Sequence, residues 1–128
     1  MGVPLPGRPG TELAVVLSCV DLETAARFWA SALGYEPGPV REPYRSLRPP
    51  DGEGVELLLH RVPDRKPAGR RNRLHLDLRV PDLEAEVERL TGLGARVLTA
   101  EPMVENGWGW HVLADPEGNE FCVLSARG

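Results

Sequence analysis

The chain has 128 residues, a hydrophobic fraction of 41% and a formal net charge of −4 at pH 7. This length suits one domain and is too short for two independent cores. No apolar run approaches the length of a membrane span, and the start "MGVPLPGRPG" lacks the features of a signal peptide. A soluble, cytoplasmic protein is therefore expected, and the mildly acidic balance argues against nucleic-acid binding.

Residues 1–11 are predicted to form a flexible N-terminal tail before a single domain that spans 12–128. Within this domain the basic stretch "RVPDRKPAGRRNR" contains two prolines and a glycine, and no aromatic residues are interleaved with its charges. No helical period gathers those charges onto one face. The stretch is therefore predicted to be a connection rather than a nucleic-acid site.

The chain repeats itself. The segments "AVVLSCVDLETAARFWASALG" and "HLDLRVPDLEAEVERLTGLGA" each contain a strand-like run, an Asp-Leu-Glu, an amphipathic helix and a glycine. Asp21 and Asp82 are placed as helix N-caps, and Gly34 and Gly94 follow the last apolar positions, as glycines that end helices do. One apolar helical face is predicted in each copy: Leu22, Ala26, Trp29 and Leu33 in the first, and Leu83, Val87 and Leu90 in the second.

The second parts of the two copies also correspond. "DGEGVELLL" parallels "DPEGNEFCV", and in each a turn leads into an apolar strand. Each copy has room for two more strands before that point, so each is predicted to be a βαβββ module. Module one spans 12–63, a linker spans 64–73 and module two spans 74–126. The predicted fold is α+β, with an eight-stranded curved mixed sheet and the helices on its outside.

Alternation along the strands indicates which side chains face into the curve. In "LHLDLRV" the leucines share the face that a helix covers, so His75, Asp77 and Arg79 share the other face. The same argument assigns further residues to the concave face: Glu120, Cys122 and Leu124 in module two, and Ala14, Val16, Ser18, Glu56, Leu58 and His60 in module one.

His75 is the most informative candidate for chemistry. Asp77 on its own strand and Glu120 opposite it could fix its tautomer and raise its basicity, which would make a proton-transfer pair. Glu56 is the module-one counterpart of Glu120, and pseudo-symmetry could bring the two acids to one cavity. The alternatives stay open: a histidine hydrogen-bonded in a polar layer, and glutamates that pair with an arginine such as Arg79.

Two further residue types bear on binding. Trp108 and Trp110 are spaced to project from the same side of a strand. If that side is the cavity, they form a flat wall for a planar ligand, and otherwise they belong to a core or a dimer surface. The two cysteines, Cys19 and Cys122, lie in apolar runs, so each is expected to be a small buried side chain without a disulfide.

The duplicated strand-Asp-Leu-Glu-helix pattern, "FWASALGYE" and "LADPEGNEFCVL" resemble the vicinal oxygen chelate superfamily, in its glyoxalase-like and bleomycin-resistance-like branch. The resemblance covers about Glu12 to Ser125. It implies one metal ligand on the first and last strand of each module, at positions that here are Ala14, Leu58, His75 and Cys122. Because Ala14 and Leu58 cannot coordinate a metal, the usual divalent ion and any other cofactor are not expected. A displaced site would use His75, Cys122 and Glu120.

The resemblance implies a small organic ligand in the cup of the sheet and a homodimer, with no membrane or nucleic-acid partner. The first hypothesis is binding without metal. The second is a metal-independent isomerase, lyase or cyclase that uses His75 with a carboxylate, and the third is a metalloenzyme with a displaced site. Candidate ligand-binding residues are Trp108, Trp110, Arg79, Cys122, Ser18, Leu58 and His60.

Overall fold

The computed structural model describes residues 13–64 and 75–127. The first half of the chain contains β1 (Ala14–Cys19), α1 (Leu22–Leu33), β2 (Glu36–Arg41), β3 (Tyr44–Arg48) and β4 (Glu56–Arg61). The second half contains β5 (Leu76–Arg79), α2 (Leu83–Gly92), β6 (Arg96–Val97), β7 (Met103–Glu105), β8 (Trp108–Ala114) and β9 (Glu120–Ala126). The predicted tail 1–11 lies outside the described residues, and so does the predicted linker except for Asp64.

The two halves of the chain have the same sheet topology. The strand order is β1-β4-β3-β2 in the first sheet and β5-β9-β8-β6 in the second, with β7 also paired to β8. In each sheet the first strand lies parallel to the last one, and the other pairs are antiparallel. The predicted α+β fold of two repeated modules in curved mixed sheets is confirmed. In the described residues each module forms its own hydrogen-bonded sheet.

The outer strand of the second module is divided into β6 and β7, which both pair with β8. The break occurs where the Thr99 hydroxyl, rather than a backbone carbonyl, accepts a bond from the Val112 amide at 3.2 Å. Thr99 also contacts His111 at 2.7 Å. Pro102 follows, and it has no amide to donate. One predicted strand is therefore present as two short ones.

Both helices begin and end as the sequence predicts. The Asp21 side chain accepts bonds from the first-turn amides of α1 at 3.0 and 3.2 Å, and Asp82 does the same for α2 at 3.1 Å. Gly34 follows α1 with φ of 70°, which glycine adopts without steric cost. Gly94, with φ of 115°, follows α2. None of the described helices is long and apolar enough to cross a membrane.

The aromatic core is shared between the two modules. Trp29 of α1 is fully buried, and its ring lies 5.1 Å from Phe28 and 4.9 Å from Phe121 of β9, between centroids. Edge-to-face pairs at such distances stabilise a core beyond the apolar area that they bury. Since Phe121 belongs to the second module, α1 completes its packing only against the other half of the chain.

A buried carboxylate lies beside this aromatic cluster. Asp115, which is 2% exposed, accepts four hydrogen bonds: from the Trp29 indole at 2.9 Å, from the Glu117 and Asn119 amides at 2.9 and 2.8 Å, and from the Asn119 side chain at 3.1 Å. A buried charge is tolerated only when donors replace its water. Asp115 therefore organises its own turn and anchors α1 to it.

The same turn also holds the end of β1. The Glu117 carboxylate accepts bonds from the Val20 and Asp21 amides at 2.7 and 3.2 Å. Asn119 donates its side-chain amide to the Ser18 carbonyl at 2.9 Å. These contacts join residues about 100 positions apart in sequence, so the two modules are fastened to each other within one chain.

A second intermodule contact connects the helices. The Arg89 guanidinium of α2 donates to the Ser31 and Ala32 carbonyls at the end of α1, at 3.1 and 2.9 Å. Carbonyls in the last turn of a helix lack partners within it, and the helix dipole favours a cation there. Glu86 holds the guanidinium from the other side, and this bond lowers the pKa of the Glu86 carboxyl.

Replacing the buried carboxylate should be costly. Asp115→Ala leaves several buried N–H donors without an acceptor, so we expect the free energy of unfolding to fall by about 3 kcal/mol or more. Chemical denaturation measures this. The matched control is Asp51→Ala, in the corresponding exposed turn of the first module, where the loss should be under about 1 kcal/mol. Equal losses in the two variants would contradict the role given to Asp115.

Candidate functional site

The register of β5 and β9 brings four polar side chains to one face. Asp77 lies directly opposite Cys122, and Leu76 lies opposite Phe121. One residue earlier, the same register places His75 opposite Glu120. Because directly opposed residues project from the same side of a sheet, these four form two adjacent rows on the concave face. We call His75, Asp77, Glu120 and Cys122 the polar block.

Three members of the polar block are close in space. His75 Nδ1 lies 3.3 Å from Asp77 Oδ1, and one donor atom each from His75, Asp77 and Cys122 lies within 4.8 Å of the other two. The His75 and Asp77 side chains are 61% and 44% exposed, whereas Cys122 is half-buried. The cluster therefore opens to solvent.

Both thiols are held in the neutral form at neutral pH. Burial, followed by the nearby carboxylates of Asp77 and Glu120, raises the pKa of Cys122. Burial and the Glu117 carboxylate raise the pKa of Cys19 to about 11. Burial and negative neighbours both disfavour a thiolate. Cys19, which is 2% exposed, is a core residue as predicted.

The tryptophans lie on the same side of the sheet as the polar block. In the pairing of β8 with β9, Trp110 lies opposite Leu124 and Val112 lies opposite Cys122. Trp108 therefore shares this face with Trp110. The sequence alone left open whether the two tryptophans project into the cavity or to the outer side of the sheet. The Arg79 guanidinium lies over the Trp108 ring, 5.4 Å from its centroid, which is a cation–π contact that the sequence analysis missed.

An apolar cleft adjoins this face. It lies between the edge strands β1 and β5, has a volume of about 460 Å³ and is lined by apolar side chains that include Val15, Leu57, Leu76 and Leu78. Asp77 and Arg79 border it as well. We call it the intermodule cleft. Most of its lining comes from the helix-covered side of the strands and from α1, and Asp77 and Arg79 of β5 belong to both the cleft border and the concave face.

The first-module candidates lie on the other sheet. Val16 is opposite Leu58, Ala14 is opposite Glu56 and Ser18 is opposite His60. These pairs have the same parallel register as the pairs of the polar block, but their side chains are mostly aliphatic or small. They share its concave orientation, but none of them belongs to the cluster of His75, Asp77 and Cys122.

Glu56 and His60 have partners within the first module. Glu56 accepts a hydrogen bond from Ser46 and lies 3.4 Å from an Arg48 nitrogen. The His60 ring stacks on Tyr44 with centroids 4.8 Å apart, a contact that the sequence analysis did not anticipate. Glu56 also lines the intermodule cleft, so it faces the second module without joining the polar block.

Two βαβββ modules, of which the second carries a polar concave face, define a protein of the paired-module α+β class, to which the vicinal oxygen chelate superfamily belongs. The chain is a member of the glyoxalase-like domain family, whose model matches residues 14–124. No curated protein matches the sequence.

Solved structures of the same fold are similar across nearly the whole chain. A glyoxalase family protein from Bacillus cereus is 18% identical, with a TM-score of 0.71 and coverage of 98% of this chain and 100% of its own. A glyoxalase/bleomycin resistance protein/dioxygenase family enzyme from Burkholderia phytofirmans is 17% identical, with a TM-score of 0.72 and coverage of 91% and 99%. A glyoxalase/bleomycin resistance protein/dioxygenase from Nocardioides is 20% identical, with a TM-score of 0.69 and coverage of 96% of this chain and 87% of its own.

The residues present do not fit the four-ligand metal site that the resemblance implies. That site would take two ligands from the first module, at Ala14 and Leu58. Both lie on the concave face, where ligands would be needed, and neither carries a donor atom. A metal site with ligands from both modules therefore lacks the two ligands that the first module would supply.

The charges around Cys122 should control its reactivity. Asp77→Asn removes one of the carboxylates that raise the pKa of this thiol, so the thiolate fraction at pH 8 should increase. We expect alkylation of Cys122 by iodoacetamide to become about two- to threefold faster. Peptide mapping distinguishes it from Cys19, which should stay unmodified. The control Asp51→Asn should leave the rate unchanged, and an unchanged rate in Asp77→Asn would refute the electrostatic explanation.

Proposed function

We propose that the protein binds a small planar organic molecule with an anionic group, on the concave face of the second module and without the usual divalent ion of its superfamily. The observation that carries this proposal is the Arg79–Trp108 contact at 5.4 Å. It places a guanidinium over an indole, on the face that also carries Trp110.

The chemistry of these side chains determines the ligand class. An indole face binds planar apolar groups, and a guanidinium presents several N–H donors that suit a carboxylate or phosphate. Among the residues that the structure describes, no carboxylate forms an ion pair with Arg79. Its charge is thus available to an anionic ligand group that lies over or beside the tryptophans.

The intermodule cleft supports the proposal through its size and lining. Its volume of about 460 Å³ falls within the range of small-molecule sites, which is about 300–1,000 Å³. Arg79 belongs both to the cleft border and to the tryptophan face.

The names of the similar proteins are compatible with this function. Their names combine glyoxalase, bleomycin resistance protein and dioxygenase, which covers both binding proteins and enzymes. At these identities the likeness shows the fold alone, so the proposal rests on the site.

A homodimer, which the resemblance implies, is part of the proposal. Met103 and Val104 on the outer strand of the second sheet are 48% and 65% exposed, and a second protomer could cover them.

Tryptophan fluorescence tests the proposed site. Titration with a panel of aromatic carboxylates and their uncharged amides should show a change of emission that favours the anions. Trp29, the third tryptophan, is buried and hydrogen-bonded, so Trp108→Phe with Trp110→Phe should abolish the change while the protein stays folded. Arg79→Met should weaken binding about tenfold.

The matched control is Arg96→Met, on the exposed outer strand β6, which should leave the affinity unchanged. If no anion in the panel alters the emission, or if the doubly substituted protein responds as the wild type does, the proposed site is wrong.

Proton transfer is a second candidate function, because His75 Nδ1 lies 3.3 Å from Asp77 Oδ1 on the same concave face. A carboxylate at this distance orients the imidazole, as a general base requires. The reaction would be an isomerase or lyase step that moves a proton on the bound molecule. This candidate needs no metal.

Exchange of ligand C–H groups in D₂O, followed by NMR, tests this second function on any ligand found above. His75→Ala should slow the exchange by about 100-fold or more. His60→Ala, at a concave position of the first module, should leave it unchanged. Exchange that persists at the full rate in His75→Ala would exclude His75 as the base.

A further inference from the structure

We propose that the concave face of the first module holds a second binding site for a planar aromatic anion, built from Arg41, Tyr44 and His60. These side chains lie in one row across the first sheet. Tyr44 is paired with Arg41 on one side and with His60 on the other, and Ser18 continues the row beyond His60. Directly opposed residues project from the same side of a sheet, so all four belong to the concave face. We call them the first-module row.

The two rings of the first-module row form a flat surface. The rings of Tyr44 and His60 are stacked, with centroids 4.8 Å apart and planes inclined by 21°. Tyr44 is 41% exposed, and Val16 on the same face is 57% exposed. A stacked pair beside an uncovered aliphatic side chain offers the flat, apolar contact that an aromatic ligand requires.

Arg41 supplies the charge that selects an anion. The carboxylate next to it in sequence, that of Glu42, is paired with Arg61. Within residues 13–64 and 75–127, no carboxylate forms an ion pair with Arg41, and its side chain is exposed. A guanidinium binds a carboxylate or phosphate through parallel N–H donors. A ring that stacks on Tyr44 can therefore direct its anionic group to Arg41, on the opposed position of β2.

The repeat supplies an independent argument. In the second module, Trp110 lies opposite Leu124, which lies opposite Arg79. By the same count along the strands, Tyr44 occupies the place of Trp110, and Ser18 occupies the place of Arg79. The helices cover the other side of each sheet, so packing under a helix does not require an aromatic ring at this place. Its presence in both modules favours a binding role.

The position of the charge distinguishes the two faces. In the first module the guanidinium belongs to the outer strand, at Arg41, whereas in the second it belongs to the first strand, at Arg79. The two faces should therefore bind the same class of molecule in different orientations.

Proton NMR of the three histidines tests the inference, with 2-naphthoate as the probe. Each imidazole gives one Cε1–H signal, which a His→Gln variant assigns. A naphthalene ring stacked on the first-module row should move the His60 signal upfield in a saturable manner. The His111 signal should stay in place, because His111 contacts Thr99 at 2.7 Å and projects from the helix-covered side of β8. The uncharged 2-naphthamide should bind more weakly.

Variants assign the contributions of the row. Tyr44→Leu should weaken binding of the probe about tenfold, because it removes the stacking partner. Arg41→Met should weaken it about fivefold, as expected for an exposed ion pair. The matched control is Arg27→Met, on the exposed side of α1 in the same module, which should leave the affinity unchanged. A His111 signal at its wild-type position shows that each variant is folded.

Three outcomes would overturn the inference: a His60 signal that does not move, one that moves without saturation, or wild-type affinity in Tyr44→Leu and Arg41→Met. The inference does not rest on the function proposed for the second module, which tryptophan emission reports. A probe that changes this emission and leaves the His60 signal in place would support the second-module site and refute the first-module one. A probe that moves the His60 signal without changing the emission would do the reverse.

Discussion

The structure depends on one buried carboxylate, that of Asp115. It accepts bonds from its own turn and from the Trp29 indole of the other module, and the same turn fastens the end of β1 through Glu117 and Asn119. Burying this charge without these donors would strongly destabilise the folded state. The turn before β9, helix α1 and the end of β1 should therefore form together. The position of β1 relative to β5, and with it the intermodule cleft, follows from this fastening.

The two modules share a backbone and differ in chemistry. Their strand orders and the parallel registers of their first and last strands agree, yet one concave face carries the polar block and the other carries Ala14, Val16 and Leu58. Function in this fold is therefore a matter of a few side chains on an unchanged frame. The first module contributes mainly to the shape of the intermodule cleft, whose wall includes Val15 and Leu57.

Local patterns in the sequence predicted the fold well, because capping and alternation depend on neighbouring residues. Asp21 caps α1 and Trp29 is buried, as the spacing indicated. Contacts between distant segments were not predictable in this way. The Trp29–Asp115 bond joins residues 86 positions apart, and the Arg79–Trp108 contact depends on a register that two glycines obscure in the sequence. For the site, alternation placed His75, Asp77 and Cys122 on one face, but their mutual distances depend on the pairing of β5 with β9, which the sequence does not give.

The long separation between Trp29 and its partners has a consequence for biosynthesis. The ribosome delivers the first module, helix α1 included, well before Asp115 and Phe121 leave the exit tunnel. Until then the indole has neither its acceptor nor its aromatic neighbour, and the apolar face of α1 is incompletely covered. Domains generally fold as units, and contacts between distant positions form slowly. The nascent first half should therefore stay only partly folded, and a chain that stops before residue 115 should depend on chaperones.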